Sequence, residues 1–225
     1  MLSLPILDGN NDNMDLATRA CAGCHGDCCT VHDVPLSAFE LRRLRRALGL
    51  PWNAVATVVE DRNMLARGVR LSRAPVWKRF NLRRRPSGAC QFLLELEGGH
   101  RRCGVHALRP GACRIYPLLP DRTAQLGVFV SGHAICPPER AALYGEAAAS
   151  LTAIVDEDTA EELLWDRMVD RWELYGASSV EGFSIETFLA WCDGILDRID
   201  ALRVGDRGQW QLSAYAMVAL ADWPE

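Results

Sequence analysis

The sequence predicts an α+β protein in which an irregular, cysteine-rich module with short strands over residues 15–136 is followed by a helical module over 137–225. Two patterns predict this class. Short apolar runs separated by glycine, proline and charged residues fill 69–131, which is typical of short strands joined by loops. After the paired prolines that open the second module, apolar residues recur at helical spacing to the end of the chain. We expect the helical module to pack on the cysteine-rich one.

The first element is a predicted amphipathic helix over residues 37–48. Ser37 is followed three residues later by Glu40, which is the spacing of a capping box, and apolar residues then recur at near-helical spacing between arginines. Gly49 is placed to end this helix. A second, shorter helix is predicted over 52–61.

Four further helices are predicted in the second module, over 139–154, 157–175, 184–201 and 209–221. Leu164, Met168 and Trp172 lie four residues apart in the second of them, so they share one face, which we expect to be buried in a core. The acidic run at 156–158 is predicted to begin the same helix, because carboxylates favour the positive end of the helix dipole.

The formal charge of −4 conceals two oppositely charged halves of the chain. Residues 1–135 carry 19 basic and 11 acidic side chains, a net charge of +8, whereas residues 136–225 carry 6 and 18, a net charge of −12. All basic residues except Lys78 are arginines, whose planar guanidinium pairs well with carboxylates or phosphates. The simplest hypothesis is that the two halves dock on each other, within one chain or across a dimer, so the oligomeric state stays open.

Two arginine clusters leave open a function as an interaction adaptor. They are Arg42, Arg43, Arg45 and Arg46 on the first predicted helix, and Arg83, Arg84 and Arg85. Contacts from these side chains to phosphates would make the protein an interaction adaptor. An amphipathic helix usually exposes such a face to water, however, and the whole chain is acidic, so nucleic acid is a disfavoured partner.

The amino-terminal segment lacks the features of a secretory signal, since its short apolar stretch is interrupted by Pro5 and no basic region precedes it. No apolar run in the sequence approaches the about 20 residues needed to span a bilayer. A cytoplasmic protein without a membrane partner is therefore expected. In that reducing compartment, clustered cysteines bind metals or carry redox chemistry more often than they form structural disulfides.

Eight of the nine cysteines and all five histidines lie within residues 21–136. The eight candidate metal ligands are Cys21, Cys24, Cys28, Cys29, Cys90, Cys103, Cys113 and Cys136. Cys21 and Cys24 form a C-x-x-C pair, whose spacing lets both sulfurs turn toward one metal. The adjacent Cys28 and Cys29 project differently from the backbone, so we expect one of them to serve a second metal or a neighbouring role.

Other roles for these cysteines fit the sequence less well. Residues 21–25 match the C-x-x-C-H signature of covalent haem attachment, but no export signal is recognised and further cysteines follow at once. A disulfide framework is disfavoured by the expected reducing compartment. Cys192 stands apart from the others in a predicted helix, where we expect a buried core thiol.

The cysteine-containing segments carry a resemblance to a known family. The order CAGCHGDCC, CQFL, CGVHALRPGACRIYP and a closing Cys136 resembles the YkgJ-type CxxCxxCC cysteine-cluster family, a zinc- or iron-chelating domain. The resemblance covers residues 21–136 and implies that the eight cysteines occupy the family's characteristic positions. It implies zinc or an iron–sulfur cluster, such as a 4Fe–4S cluster, as the cofactor, and leaves open whether there is one centre or two.

The resemblance also implies an enzymatic alternative. A distant relative, the flagellin lysine N-methylase, uses S-adenosylmethionine, so a cluster-dependent enzyme of that kind is a second hypothesis. Only the cysteine positions carry over from the family to this chain. No catalytic residue, substrate or protein partner is assigned by the resemblance.

Centres built from four thiolates are anionic and need nearby cations or backbone N–H donors. The candidates for this role are the arginines interleaved with cysteines in the motif, Arg101, Arg102, Arg109 and Arg114. The alternative is that these arginines are solvated or pair with the acidic helices.

Overall fold

The computed structural model describes residues 25–62, 68–71, 76–121, 127–130, 135–136, 148–178 and 184–203. These residues form helices and short antiparallel strands, with long helices toward the carboxyl terminus, so the predicted α+β class is confirmed. The chain divides into two compact units: the first holds residues up to Val34 together with Arg83–Asp156, and the second holds Pro35–Leu82 together with the residues from Glu157 onward. A division into compact units does not by itself test where a folding domain ends, so the domain boundary expected after residue 136 stays a prediction.

The described helices are α1 (Cys28–Val31), α2 (Ala38–Leu48), α3 (Trp52–Val55), α4 (Gly111–Ile115), α5 (Ala148–Ser178) and α6 (Ile185–Arg203). The described strands are β1 (Pro35–Leu36), β2 (Ala56–Glu60), β3 (Val69–Arg70), β4 (Trp77–Leu82), β5 (Leu93–Glu95), β6 (Arg101–Cys103), β7 (Leu118–Asp121) and β8 (Gly127–Val130). The short strands predicted over 69–131 are therefore confirmed. Among the helices described, none has the length and apolar character that a membrane span requires.

The second unit is built on a four-stranded antiparallel sheet with β4 at its centre. β2 pairs with β4 along five consecutive residue pairs, while β1 and β3 pair with opposite ends of β4. Phe80 of β4 is buried and stacks on Phe188 of α6, with 6.1 Å between the ring centroids. The sheet and α6 therefore share one core.

The apolar face predicted in the carboxyl-terminal helices is confirmed as part of this core. Leu164, Met168 and Trp172 lie in α5 and are at most 2 % exposed. Trp172 packs edge-on against Phe188, with 5.1 Å between ring centroids, and its indole N–H donates to the carbonyl oxygen of Arg70 at 2.7 Å. α5 is thus joined both to α6 and to strand β3.

The helix predicted over 37–48 is confirmed as α2, together with its capping box. The Ser37 hydroxyl accepts a hydrogen bond from the Glu40 backbone N–H, and the Glu40 carboxylate accepts one from the Ser37 N–H at 2.8 Å. Gly49 ends the helix with a φ of 63°, a left-handed conformation that an L side chain seldom adopts.

The helix predicted over 52–61 is wrong beyond its first turn. α3 ends at Val55, and strand β2 begins at Ala56. The next three residues carry β-branched side chains, which favour strands, and β4 offers a pairing partner along the whole segment. A partner distant in the sequence therefore decides the structure of this segment.

The helix break predicted between 154 and 157 is also wrong, because α5 continues without interruption from Ala148 to Ser178. The acidic residues 156–158 consequently lie inside the helix and do not begin it. The helix predicted over 184–201 is confirmed as α6. The helix predicted over 209–221, and the first residues of the one predicted over 139–154, lie outside the described residues.

Arginines of α2 pair with carboxylates of α5 and α6 within the second unit. The Arg42 side chain is 7 % exposed and lies 2.7 Å from carboxylate oxygens of both Asp197 and Asp200. Arg43 lies 3.2 Å from the buried carboxylate of Glu161. These ion pairs join the basic and acidic halves of the sequence inside one chain, so carboxylates occupy a part of the arginine-rich face.

We expect Arg42→Ala to lower the free energy of unfolding by about 2 kcal/mol, because it removes the buried cation shared by two carboxylates. Arg46→Ala is the matched control. Arg46 faces the same two carboxylates from a position that is 57 % exposed, and its removal should cost clearly less. Urea unfolding followed by circular dichroism compares the two variants, and equal losses would contradict the importance given to the burial of Arg42.

Candidate metal centre

Helix α1 places the adjacent motif cysteines Cys28 and Cys29 in one short turn of the first unit. Gly26 precedes the helix with a φ of 73°, and its carbonyl oxygen accepts a hydrogen bond from the Cys29 N–H at 3.0 Å. A Cβ at Gly26 would come within 2.9 Å of the Leu93 side chain, so glycine suits both the conformation and the space. This close approach brings the cysteine pair against the β5–β6 hairpin.

The β5–β6 hairpin brings two further motif cysteines to its open end. Cys103 at the end of β6 pairs with Leu93 at the start of β5. Cys90 lies just before β5, where its carbonyl oxygen accepts the Leu93 N–H at 3.1 Å. The N–H of Cys90 in turn donates to the carbonyl oxygen of Cys29 at 2.7 Å, so the main chain itself joins the hairpin to α1.

Four motif thiols lie close enough to change each other's pKa, namely Cys28, Cys29, Cys90 and Cys103. A hydrogen bond with Cys29 lowers the pKa of Cys28 to about 7, and the same hydrogen bond, with burial, raises the pKa of Cys29. Burial raises the pKa of Cys90, and it raises the pKa of Cys103 to about 11. Negative charge on neighbouring thiols adds to the increases at Cys29 and Cys103. A metal cation that replaced the protons would relieve this mutual repulsion.

Arg109, one of the four interleaved arginines that the sequence proposed for this role, provides positive charge beside these thiols. It is 8 % exposed. The pKa of Cys28 is lowered mainly by its hydrogen bond with Cys29, against the effect of burial, and the charge of Arg109 lowers it further. At Cys103, burial raises the pKa and the charge of Arg109 opposes that increase. Arg101 differs, since its Nε lies 3.9 Å from a carboxylate oxygen of Glu95.

Arg84 and Arg85, which the sequence suggested as phosphate contacts, donate instead to main-chain carbonyl oxygens, Arg84 to those of the α1 segment and Arg85 to those just after Cys90. The Arg84 guanidinium donates to the carbonyl oxygen of His32 at 2.6 Å and to that of Thr30. Arg85 donates to two carbonyl oxygens just beyond Cys90, at 3.0 and 2.6 Å. Burial raises the pKa of Cys90, and the charges of both arginines oppose that increase. The sequence did not indicate this role, because the partners of Arg84 lie 52 and 54 positions away.

Cys113 and Cys136 are partly buried in the first unit. Cys113 lies in α4, whose carboxyl-terminal cap is Tyr116. The Tyr116 hydroxyl accepts a hydrogen bond at 2.7 Å from the N–H of Ile135, directly before Cys136, and lies 3.1 Å from Nε2 of His32. The sequence did not indicate this contact, because His32 and Tyr116 lie 84 positions apart.

The predicted ligand set is placed only in part. Cys21 and Cys24 lie outside the described residues. Within the residues that are described, no three Cys, His, Asp or Glu side chains stand at the mutual distances that hold one metal ion. Cys192 is 1 % exposed in α6, so the buried core thiol predicted there is confirmed, and burial raises its pKa. The full eight-cysteine ligand set stays a prediction.

The thiols gathered beside arginines in an α+β fold define a cysteine-rich protein with the donor groups of a metal chelator. A family model, CxxCxxCC, described as "Putative zinc- or iron-chelating domain", matches residues 20–137. Because the match covers more than half of the chain, the chain belongs to the CxxCxxCC family, and the resemblance drawn from its motifs is confirmed. The comparisons with curated proteins and with solved structures gave no match.

The family match supports metal chelation by residues 20–137 at the level of zinc or iron. It does not choose between these metals, and it carries nothing about S-adenosylmethionine, methyl transfer or a protein partner. Those expectations, and the cytoplasmic location, stay predictions.

Proposed function

We propose that the first unit chelates a zinc or iron centre through the thiolates of its motif cysteines. The observation that carries the proposal is that four motif thiols, on α1 and at the open end of the β5–β6 hairpin, lie near enough to influence each other's pKa, beside the positive charge of Arg109. Soft thiolate ligands select zinc and iron–sulfur centres over magnesium or calcium. The description of the matching family model agrees with that choice.

The chemistry and the backbone around these thiols suit such a centre. Four neighbouring thiols resist ionising together, and a bound cation removes that penalty. The main chain beneath them is held by the hydrogen bond from the Cys90 N–H to the Cys29 carbonyl oxygen. Rotation about the Cα–Cβ bond moves each sulfur without moving this backbone. The remaining predicted ligands, Cys21, Cys24, Cys113 and Cys136, would complete this centre or supply a second one.

The two metals imply different uses of the same residues. Zinc held by four thiolates is redox-inactive, and its binding energy appears as folding energy of the cysteine-rich unit. An iron–sulfur cluster would add electron transfer, with a potential set by nearby charges such as Arg109 and by hydrogen bonds to the sulfurs. Metal identity therefore decides whether the unit is structural or redox-active.

Anaerobic purification of the full-length protein, followed by elemental analysis and a visible spectrum, tests the proposal. Brown protein containing iron and acid-labile sulfide would identify a cluster, whereas colourless protein with stoichiometric zinc would identify a closed structural site. Protein that contains neither metal, and that takes up neither zinc nor iron and sulfide on reconstitution, would overturn the proposal.

Cys103→Ala is expected to weaken metal binding by more than the about 10–100-fold that loss of an outer-shell partner costs, because it removes a donor atom. Cys192→Ala is the matched control, since it deletes a buried thiol that lies in the second unit. Metal content per protein and competition with a chelator measure both variants. Equal metal content and equal resistance to the chelator would show that Cys103 is not a ligand.

A further inference from the structure

The Tyr116 side chain connects three separate segments that carry motif cysteines. Its hydroxyl oxygen lies 3.1 Å from Nε2 of His32 and 2.7 Å from the backbone nitrogen of Ile135. His32 caps α1, and its N–H donates to the carbonyl oxygen of Cys28 at 3.1 Å. Tyr116 caps α4, and Ile135 directly precedes Cys136.

One phenolic hydroxyl can serve both neighbours at once. It offers one donor and two acceptor lone pairs, so it can accept from the Ile135 N–H and still form a hydrogen bond with Nε2 of His32 in either tautomer of that ring. The His32 and Tyr116 rings are also in contact, with 4.9 Å between centroids and 55° between planes. This ring contact restricts where the Tyr116 ring, and with it the hydroxyl oxygen, can lie.

The Tyr116 hydroxyl is close in the chain or through hydrogen bonds to several of the predicted ligands. Cys113 lies three residues before Tyr116, in the helix that Tyr116 caps, and Cys136 follows Ile135, whose N–H donates to the hydroxyl. On the His32 side, α1 carries Cys28 and Cys29. Ligand-bearing segments that are far apart in the sequence are therefore tied at one oxygen atom.

We propose that Tyr116 is a positioning residue whose hydroxyl holds the Cys136 segment to the caps of α1 and α4, and so sets the metal affinity of the centre. This inference rests on the proposed function. It goes beyond it by assigning a role to a residue that is not itself a predicted ligand. Outer-shell hydrogen bonds of this kind commonly change metal affinity by about 10–100-fold.

Tyr116→Phe removes the hydroxyl and keeps the ring. We expect it to weaken Co²⁺ binding to the metal-free full-length protein about 10-fold, measured from the thiolate-to-cobalt absorption band. With cobalt bound, iodoacetamide should alkylate Cys136 faster in the variant than in wild type, while the rate at Cys90 is unchanged. A purely structural role would lower the stability and raise both alkylation rates together. Tyr175→Phe, in the second unit, is the matched control.

A second variant separates the hydroxyl from its neighbour. His32→Leu removes the hydrogen bond between His32 and the Tyr116 hydroxyl. Added to Tyr116→Phe, it should change the Co²⁺ affinity little further, because the effects of two substitutions that remove the same contact are not additive. Fully additive effects would make His32 an independent ligand and overturn the positioning role of Tyr116.

The outcomes distinguish this inference from the proposed function. Wild-type protein that takes up no Co²⁺, no zinc, and no iron and sulfide on reconstitution would overturn both. Where wild type takes up only iron and sulfide, Tyr116→Phe is compared with it by its content of iron and sulfide, and equal content would overturn the role of Tyr116. If wild type binds Co²⁺ and Tyr116→Phe binds it with the same affinity, the role of Tyr116 alone would be overturned. The same conclusion would follow if Cys136 were alkylated at the same rate in both proteins. A weaker affinity together with selective exposure of Cys136 supports it.

Discussion

The Trp172→Ala variant is expected to lose about 3–5 kcal/mol of unfolding free energy. Trp172 is 0 % exposed, and its ring centroid lies 5.1 Å from that of Phe188 and 5.6 Å from that of Trp191. Its indole N–H donates to the Arg70 carbonyl oxygen in β3. The substitution therefore opens a cavity where α5, α6 and the sheet meet, and it removes a hydrogen bond between helix and strand.

Two further variants divide this loss into its parts. Trp172→Phe keeps an aromatic ring and removes the N–H donor, so we expect a smaller loss of about 1–3 kcal/mol. Tyr175→Ala is the control, because Tyr175 contacts the Trp172 ring at 5.6 Å between centroids and is 40 % exposed. Urea unfolding followed by far-ultraviolet circular dichroism measures all three. A loss in Trp172→Ala no larger than that in Tyr175→Ala would contradict the central place of Trp172 in this core.

Those parts of the fold that depend on neighbours along the chain could be predicted from the sequence. Ser37, Glu40 and Gly49 all act within α2, so its start and end are determined locally. Strand β2 depends instead on pairing with β4, and no local pattern identifies that partner. The acidic run at 156–158 marks no boundary, because the backbone is already helical from Ala148 and stays so to Ser178.

In the candidate site, too, features set by neighbours along the chain could be predicted and those set by distant contacts could not. The cysteines are recognisable from residue type and spacing alone, and the family match agrees with that prediction. The residues that hold the backbone around the cysteines are not recognisable in this way. Arg84, for example, donates to the carbonyl oxygens of Thr30 and His32, which lie 54 and 52 positions away. An arginine that binds main-chain carbonyls looks, in the sequence, like one that faces solvent or phosphate. The contact between His32 and Tyr116 is hidden for the same reason.

Removal of the metal is expected to loosen the first unit while the second unit stays folded. The buried hydrophobic residues described in the first unit are Phe92, Leu93, Val105 and Ile115, which form a small core. Much of the nearby backbone is instead tied by side chains such as that of Arg84. A metal that binds only the folded unit adds its binding free energy to folding, and this amounts to about 10–16 kcal/mol in zinc-finger peptides.

Hydrogen exchange of the full-length protein, before and after treatment with a chelator, measures this effect in each unit by mass spectrometry. Peptides from 84–115 should exchange at least about 100-fold faster after chelation. Peptides from α2 and α6 should keep their protection, because they belong to the unit whose core contains Trp172 and Phe188. Cys192→Ala protein should respond to the chelator as wild type does. Unchanged exchange in 84–115 would mean that the cysteine-rich unit folds without metal. An equal loss of protection in both units would mean that the metal stabilises more than its own unit. Either result would contradict this prediction.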